Sequence, residues 1–105
     1  MLFVPLNKYV KGDVISFKLV NGDEIIAEMQ EFNCEYWTIK RPCTVVPSAQ
    51  GVGLMQSLFT GNMDPTMTLR SEHVMLHAET IPDIRSHYIK TTTGIDVPSK
   101  PSIII

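Results

Sequence analysis

Residues 13–30 read DVISFKLVNGDEIIAEMQ, and this stretch decides the fold class. Apolar and polar residues alternate on both sides of the Asn21-Gly22 pair, which is the period of strands with one buried face. An Asn-Gly pair between two such segments is a strong hairpin signal, because both residues tolerate the positive φ of a type I′ turn. The sequence therefore predicts an antiparallel hairpin and a core that contains Ile15, Phe17, Leu19, Ile25, Met29 and, further along the chain, Val74.

More short strands follow this hairpin. Phe32 breaks the alternation of the second strand, which predicts a bulge near residues 30–31. Residues 36–46 form the third predicted strand, in which Pro42 indicates an edge position or a kink. Three further strands are expected over residues 54–60, 66–69 and 73–78.

The C-terminal part of the chain has a different period. Apolar side chains in residues 82–93 fall near helical spacing, with a proline suited to the first turn and a glycine suited to the stop, so we expect a helix there. Residues 95–105 hold two prolines and predict an extended tail. Its last three residues, Ile103–Ile105, are apolar and would favour aggregation unless another surface covers them.

These elements predict one domain over residues 1–105. Many short strands with a bend in a small chain favour a strongly bent, five-stranded antiparallel barrel of the SH3-like type over about residues 12–79, followed by the helix. The fold class is therefore all-β with a C-terminal helix. An OB-type barrel remains an alternative at this point.

Composition limits the classes of function. The chain has 105 residues, of which 44% are hydrophobic and 19% charged, and this excludes intrinsic disorder. The formal net charge of −2 means that any polynucleotide must be held by a local site rather than by general positive charge. No apolar run approaches the roughly 20 residues of a membrane helix, so we expect a cytoplasmic protein. The two cysteines, Cys34 and Cys43, are interpreted as reduced thiols.

The candidate catalytic and metal-binding groups are weak. His73 and His77 share a strand face but stand about 13 Å apart, too far to hold one metal ion. Ser86 and His87 are adjacent on the predicted helix and do not face each other, which argues against a catalytic triad. The glycines of residues 51–54 lack the spacing and the following helix of a phosphate-binding loop. We therefore predict no enzyme activity, no catalytic residue, no metal and no cofactor.

Two motifs resemble those of the Sm and Sm-like proteins. The hairpin, with the small residue Ala27 inside its second strand and an aromatic-polar pair at residues 32–33, is similar to the first family motif, and its Leu-Val-Asn-Gly segment resembles the bacterial Sm-like RNA chaperone. Residues 69–76, LRSEHVML, resemble the second motif. The helix after the barrel and residues 88–95, YIKTTTGI, resemble the short Sm-like proteins of T4-like phages and cyanophages.

This resemblance implies an Sm fold whose subunits pair edge to edge into a homo-oligomeric ring that binds single-stranded RNA, in the host cytoplasm if the chain comes from a phage. In RNA-binding members of the family, a stacking residue, an Asn that an acid orders and an Arg meet at the inner rim. Arg70 keeps the Arg position, whereas Ser71 replaces the following Gly and Asn33 replaces the acid. The stacking and recognition positions align with residues 35–38. The implied nucleic-acid site is Asn33, Tyr36, Trp37 and Arg70.

An alternative function stays open at this point. A structural or adaptor ring would bind a phage or host protein and no nucleic acid. This alternative is favoured by the altered motif residues and by a segment without Lys or Arg that would repel phosphate through Asp23, Glu24, Glu28, Glu31 and Glu35.

Overall fold

The computed structural model describes residues 9–63 and 65–93, so the predicted tail at 95–105 lies outside the described residues. Within them the chain forms six strands, a short 3-10 turn and one helix. In chain order these are β1 (Val14–Leu19), β2 (Glu24–Phe32), β3 (Tyr36–Ser48), β4 (Gly51–Gln56), β5 (Met67–Arg70), the turn Ser71–His73, β6 (Val74–Glu79) and α1 (Pro82–Thr93).

All the strands belong to one antiparallel sheet in the order β4-β3-β2-β1-β6. The long strand β3 pairs with β5 through its first residues and with β4 through its last residues. The prediction of an antiparallel sheet followed by a helix is confirmed. Six strands form, one for each of the six segments predicted as strands, whereas the predicted barrel had five; β3 is long enough to pair with both β4 and β5. The sheet is also not closed: no pairing joins β6 to β4 or β5 within the described part of the chain.

The β1–β2 hairpin has the predicted position, with Phe17 opposite Ile25. Its turn differs from type I′, because Gly22 has a φ of 98° whereas Asn21 does not adopt a positive φ. Instead, the Asn21 side-chain oxygen accepts a hydrogen bond from the backbone N–H of Asp23 at 2.9 Å. The asparagine thus stabilises the turn through its side chain, and the glycine alone supplies the left-handed residue.

Substitution of Gly22 tests this turn. Gly22→Val should lower the free energy of unfolding by about 1–3 kcal/mol, because a side chain is strained at this φ even though the surrounding space is open. Gly22→Ala should destabilise less. The matched control is Gly53→Ala, where φ is not positive and an added Cβ would only touch Val46 at 3.5 Å. Chemical denaturation measures all three variants, and equal stability of the two alanine variants would contradict the assignment.

Strands β2 and β3 bend where their register shifts. One shift lies between Met29 and Glu31, which confirms the predicted bulge. A second shift lies between Ile26 and Glu28, opposite the Arg41-Pro42 pair. Arg41 has a φ of 50°, the one positive φ of a non-glycine residue in the described ranges. Since β3 lies inside the sheet, Pro42 marks a kink and not an edge.

Strand β4 is displaced from its predicted position. It was expected at residues 54–60 but runs over Gly51–Gln56. The difference arises from the turn that precedes it, which is short because Gly51 adopts a φ of 126° and pairs directly with Ser48. The described residues between β4 and β5, 57–63 and 65–66, form no helix or strand.

The principal core lies on one face of the sheet. Four of the predicted core residues are buried there, and the other two, Leu19 and Val74, are half-buried and pack against the same cluster. The buried cluster consists of Ile15, Phe17, Ile25, Ala27, Met29, Trp37 and Ile39. The period-two pattern of the hairpin therefore identified the correct face.

A second core lies between the opposite face of the sheet and α1. Tyr88 is the buried residue of the helix, and its hydroxyl donates a hydrogen bond to the carbonyl oxygen of Arg41 at 2.8 Å. Burial raises the pKa of Tyr88, so the hydroxyl stays protonated as a donor. The sheet residues that pack with it are Val14, Ile26, Cys43 and Leu54. The helix bounds were predicted at 82–93 and are confirmed, whereas this second core was not predicted.

Candidate nucleic-acid interface

Pairing of β3 with β5 brings the candidate site together. Tyr36 lies directly opposite Arg70 in the register of these antiparallel strands, so the two side chains emerge on the same face. One residue further, the backbone N–H of Ser71 donates to the carbonyl oxygen of Glu35 at 2.9 Å. The turn that starts at Asn33 is therefore adjacent to the Arg70-Ser71 link, although 37 positions separate Asn33 from Arg70 in the sequence.

Asn33 organises the turn between β2 and β3. Its side-chain oxygen accepts hydrogen bonds from the backbone N–H groups of Glu35, at 2.7 Å, and Tyr36, at 3.0 Å. Its own backbone N–H donates to the carbonyl oxygen of Tyr36 at 3.0 Å. The side-chain oxygen is thus used to hold Tyr36 in place, and the amide NH₂ group is the part of Asn33 that can donate to a ligand.

The two aromatic candidates lie on opposite faces of β3. Tyr36 is 39% exposed, whereas Trp37 is 4% exposed and belongs to the principal core. The Trp37 ring stacks on Phe32 with a centroid distance of 4.8 Å and meets Phe17 edge-on at 4.9 Å. While this core is intact, Trp37 cannot stack on a base. Tyr36 is the aromatic side chain that shares the exposed face with Arg70.

Arg70 is accessible, but its surroundings are acidic. Its side chain is 64% exposed and forms an ion pair with Glu72 at 3.4 Å. An exposed ion pair of this kind contributes about 0–1 kcal/mol, so a phosphate could replace the carboxylate. Glu35 stands next to Tyr36 without an ion-pair partner among those found in the described ranges. Glu28, by contrast, is paired with Arg41.

A polar contact lies inside the aromatic cluster on the core face. The Tyr9 hydroxyl and His77 Nδ1 are at hydrogen-bond distance, 3.0 Å, and the His77 ring meets Trp37 at 4.8 Å. Burial lowers the pKa of His77, so the neutral ring is favoured in the folded protein. Sequence analysis considered His77 only as a metal ligand and missed this contact. The sequence gives only a weak signal for this contact, namely that His77 occupies an inward position of an alternating strand.

Protonation of His77 should destabilise the fold. Its pKa is lowered from 6.5 on folding, so its contribution to stability is present above that value and is lost as the pH falls through the folded pKa. We expect the free energy of unfolding to decrease as the pH falls below 6.5, less steeply in His77→Gln. His87→Gln, at an exposed position of α1, is the control and should keep the slope. Identical slopes for both variants would contradict this role.

The described residues give little support to a metal site, a disulfide or a reactive thiol. They contain no group of three or more His, Cys, Asp or Glu side chains that could hold a metal ion. Cys34 is exposed and Cys43 is buried, and neither forms a disulfide. Burial raises the pKa of the Cys43 thiol to about 11, which keeps it protonated and unreactive. No helix in residues 9–63 and 65–93 is long and apolar enough to cross a membrane.

Comparison with known proteins identifies no relative from which a function could be inferred. No protein-family model matches the chain, and no curated protein matches it. The resemblance to Sm-like proteins therefore rests on the sequence motifs alone.

Proposed function

We propose that this protein is a subunit of an Sm-like homo-oligomeric ring that binds single-stranded RNA where the turn at residues 33–36 meets Arg70. The observation that carries this proposal is the direct pairing of Tyr36 with Arg70 on an exposed face. An aromatic ring and a guanidinium group side by side can stack on a base and contact its phosphate. Base stacking on an aromatic side chain contributes roughly 1–3 kcal/mol per base.

The open edges of the sheet support the ring. One end of the sheet is β6, where Met75 and Leu76 are exposed, and the other end is formed by β4 and β5, with Val52 exposed on β4. Unpaired edges with apolar side chains are templates for another strand. The two edges belong to different strands, so copies would pair head to tail, and such a series ends when a ring closes. In this proposal the bent sheet is the Sm-type barrel.

Light scattering tests the ring. At micromolar concentration we expect a mass of several times the 11.8 kDa subunit. Leu76→Lys should shift the protein towards monomer, because the new charge lies on the β6 edge. Val20→Lys, at a similarly exposed position in the hairpin turn, should leave the mass unchanged. A stable monomer of the unsubstituted protein would contradict the ring.

A second candidate function is a ring that acts as a protein adaptor. It is favoured by the carboxylates beside the site, since Glu72 already pairs with Arg70 and Glu35 lies next to Tyr36. Burial of Trp37 also leaves one aromatic ring where two were expected. Titration with oligo-U and oligo-A over a range of salt concentrations separates the two functions, because an adaptor binds neither at low salt.

A further inference from the structure

A continuous groove crosses the face of the sheet beside α1. Its central cavity, of about 400 Å³, is lined by apolar side chains of β2, β3, β4 and the start of the helix and by four polar or charged residues, Ser16, Glu24, Glu79 and Thr80. A second cavity, of about 760 Å³, shares Val45 and Val52 with the first and extends to Gln56 and Phe59. We call the two together the α1 groove. Its central apolar residues are Ile26, Val45, Val52, Ile81 and Ile84.

The α1 groove leaves much apolar surface in contact with water. Val52 is 41% exposed, Ile81 64% and Phe59 72%. Several exposed apolar side chains that line one groove of a small domain mark a place where another segment packs. Val52 lies on the face of the sheet, whereas Ile81 lies between β6 and α1 and Phe59 follows β4, so strand pairing at the β4 edge would not by itself cover all three.

We propose that residues 94–105 of the same chain occupy the α1 groove, with Ile103–Ile105 packed against Val45, Val52 and Ile84. Three consecutive isoleucines are an apolar surface that needs a cover, and the α1 groove is an apolar surface that lacks one. This occupant goes beyond the proposed RNA-binding ring and does not depend on it.

The C-terminal end of α1 lies close to the groove. A small cavity of about 190 Å³ is lined by Thr91 and Thr92, near the last residue of the helix, and by Gln56, which also lines the α1 groove. The last turn of the helix therefore lies beside one end of the groove. From Gln56 to Val52 the strand covers about 13 Å. The ten residues from Thr93 to Ile103 can span up to about 33–36 Å, which is ample.

Charge also fits this occupant. Glu24 and Glu79 line the central cavity, and residues 94–105 carry one acid, Asp96, and, nearer to the isoleucines, one cation, Lys100. It stands three positions before Ile103, so it can pair with these carboxylates while the isoleucines contact the apolar floor. Pro98 and Pro101 restrict the backbone and reduce the entropy that the segment loses on binding.

A paramagnetic label locates the segment without disturbing the core. The label is a nitroxide attached to Ser102→Cys in a Cys34→Ser background, since the buried thiol of Cys43 is protected from labelling. The methyl signals of Val45, Val52 and Ile84 should lose most of their intensity. Those of Leu69 should not, because Leu69 packs against the principal core, on the opposite face of the sheet from the groove, and pairs with Trp37, eight residues along β3 from Val45.

Two controls make the result decisive. Replacing Ile103, Ile104 and Ile105 by Asp in the labelled protein should restore the groove signals. Unchanged groove signals in the labelled protein, or broadening that the aspartates do not remove, would overturn the proposal. A mixture of nitroxide-labelled copies with methyl-labelled copies should show no broadening. Broadening in that mixture would assign the groove to the segment of a second copy and would also overturn it.

Discussion

Replacement of Phe17 by alanine is expected to lower the free energy of unfolding by about 3–5 kcal/mol. The side chain is fully buried at the centre of the principal core, where its ring meets Trp37 edge-on at 4.9 Å. Alanine would remove the apolar contacts and leave a cavity that the two neighbouring strands cannot close. Guanidinium denaturation at a fixed protein concentration measures the change, because assembly also affects stability.

The matched control for Phe17 is the same substitution at Phe59. Phe59 is 72% exposed, so Phe59→Ala should change the free energy of unfolding by no more than about 0.5 kcal/mol. A loss below about 1 kcal/mol in Phe17→Ala would mean that β1 presents its other face to the core, since a shift of one residue reverses every side chain of a strand.

Replacement of Arg70 by alanine should remove most of the affinity for oligonucleotides. With a net charge of −2 the protein has no general attraction for RNA, so binding depends on the local site. A hydrogen bond to a charged group contributes about 1.5–3 kcal/mol, so we expect an increase in the dissociation constant of roughly 10-fold to 100-fold. Fluorescence anisotropy with labelled oligo-U and oligo-A measures it.

Lys90→Ala is the control for charge alone. Lys90 is exposed on α1 and belongs to neither β3 nor β5, and its loss removes the same charge. It should change oligonucleotide binding little. Equal losses from both substitutions would indicate diffuse electrostatic binding and would contradict a local site. If the unsubstituted protein binds neither oligonucleotide at low salt, the adaptor function is favoured.

The elements with local signals were predictable. The hairpin follows from alternation around Asn21-Gly22, the bulge from the break at Phe32, and the helix from its period and its terminal residues. Each of these signals involves residues close together in the sequence. The closed five-stranded barrel was not confirmed, because the pairing of strands depends on contacts between distant residues. Strand β3, for example, pairs with β5 across about 30 intervening positions.

In the candidate site, too, some features could be predicted from the sequence and others depended on tertiary contacts. The sequence by itself determined the residue types and the period: an Asn at the start of a turn, two adjacent aromatic residues in a strand, and an Arg in a later link. Alternation required Tyr36 and Trp37 to point to opposite faces of that strand. Which of them faces water was decided by tertiary structure alone, because Trp37 is buried only once Phe32 and Phe17 pack against it from other strands.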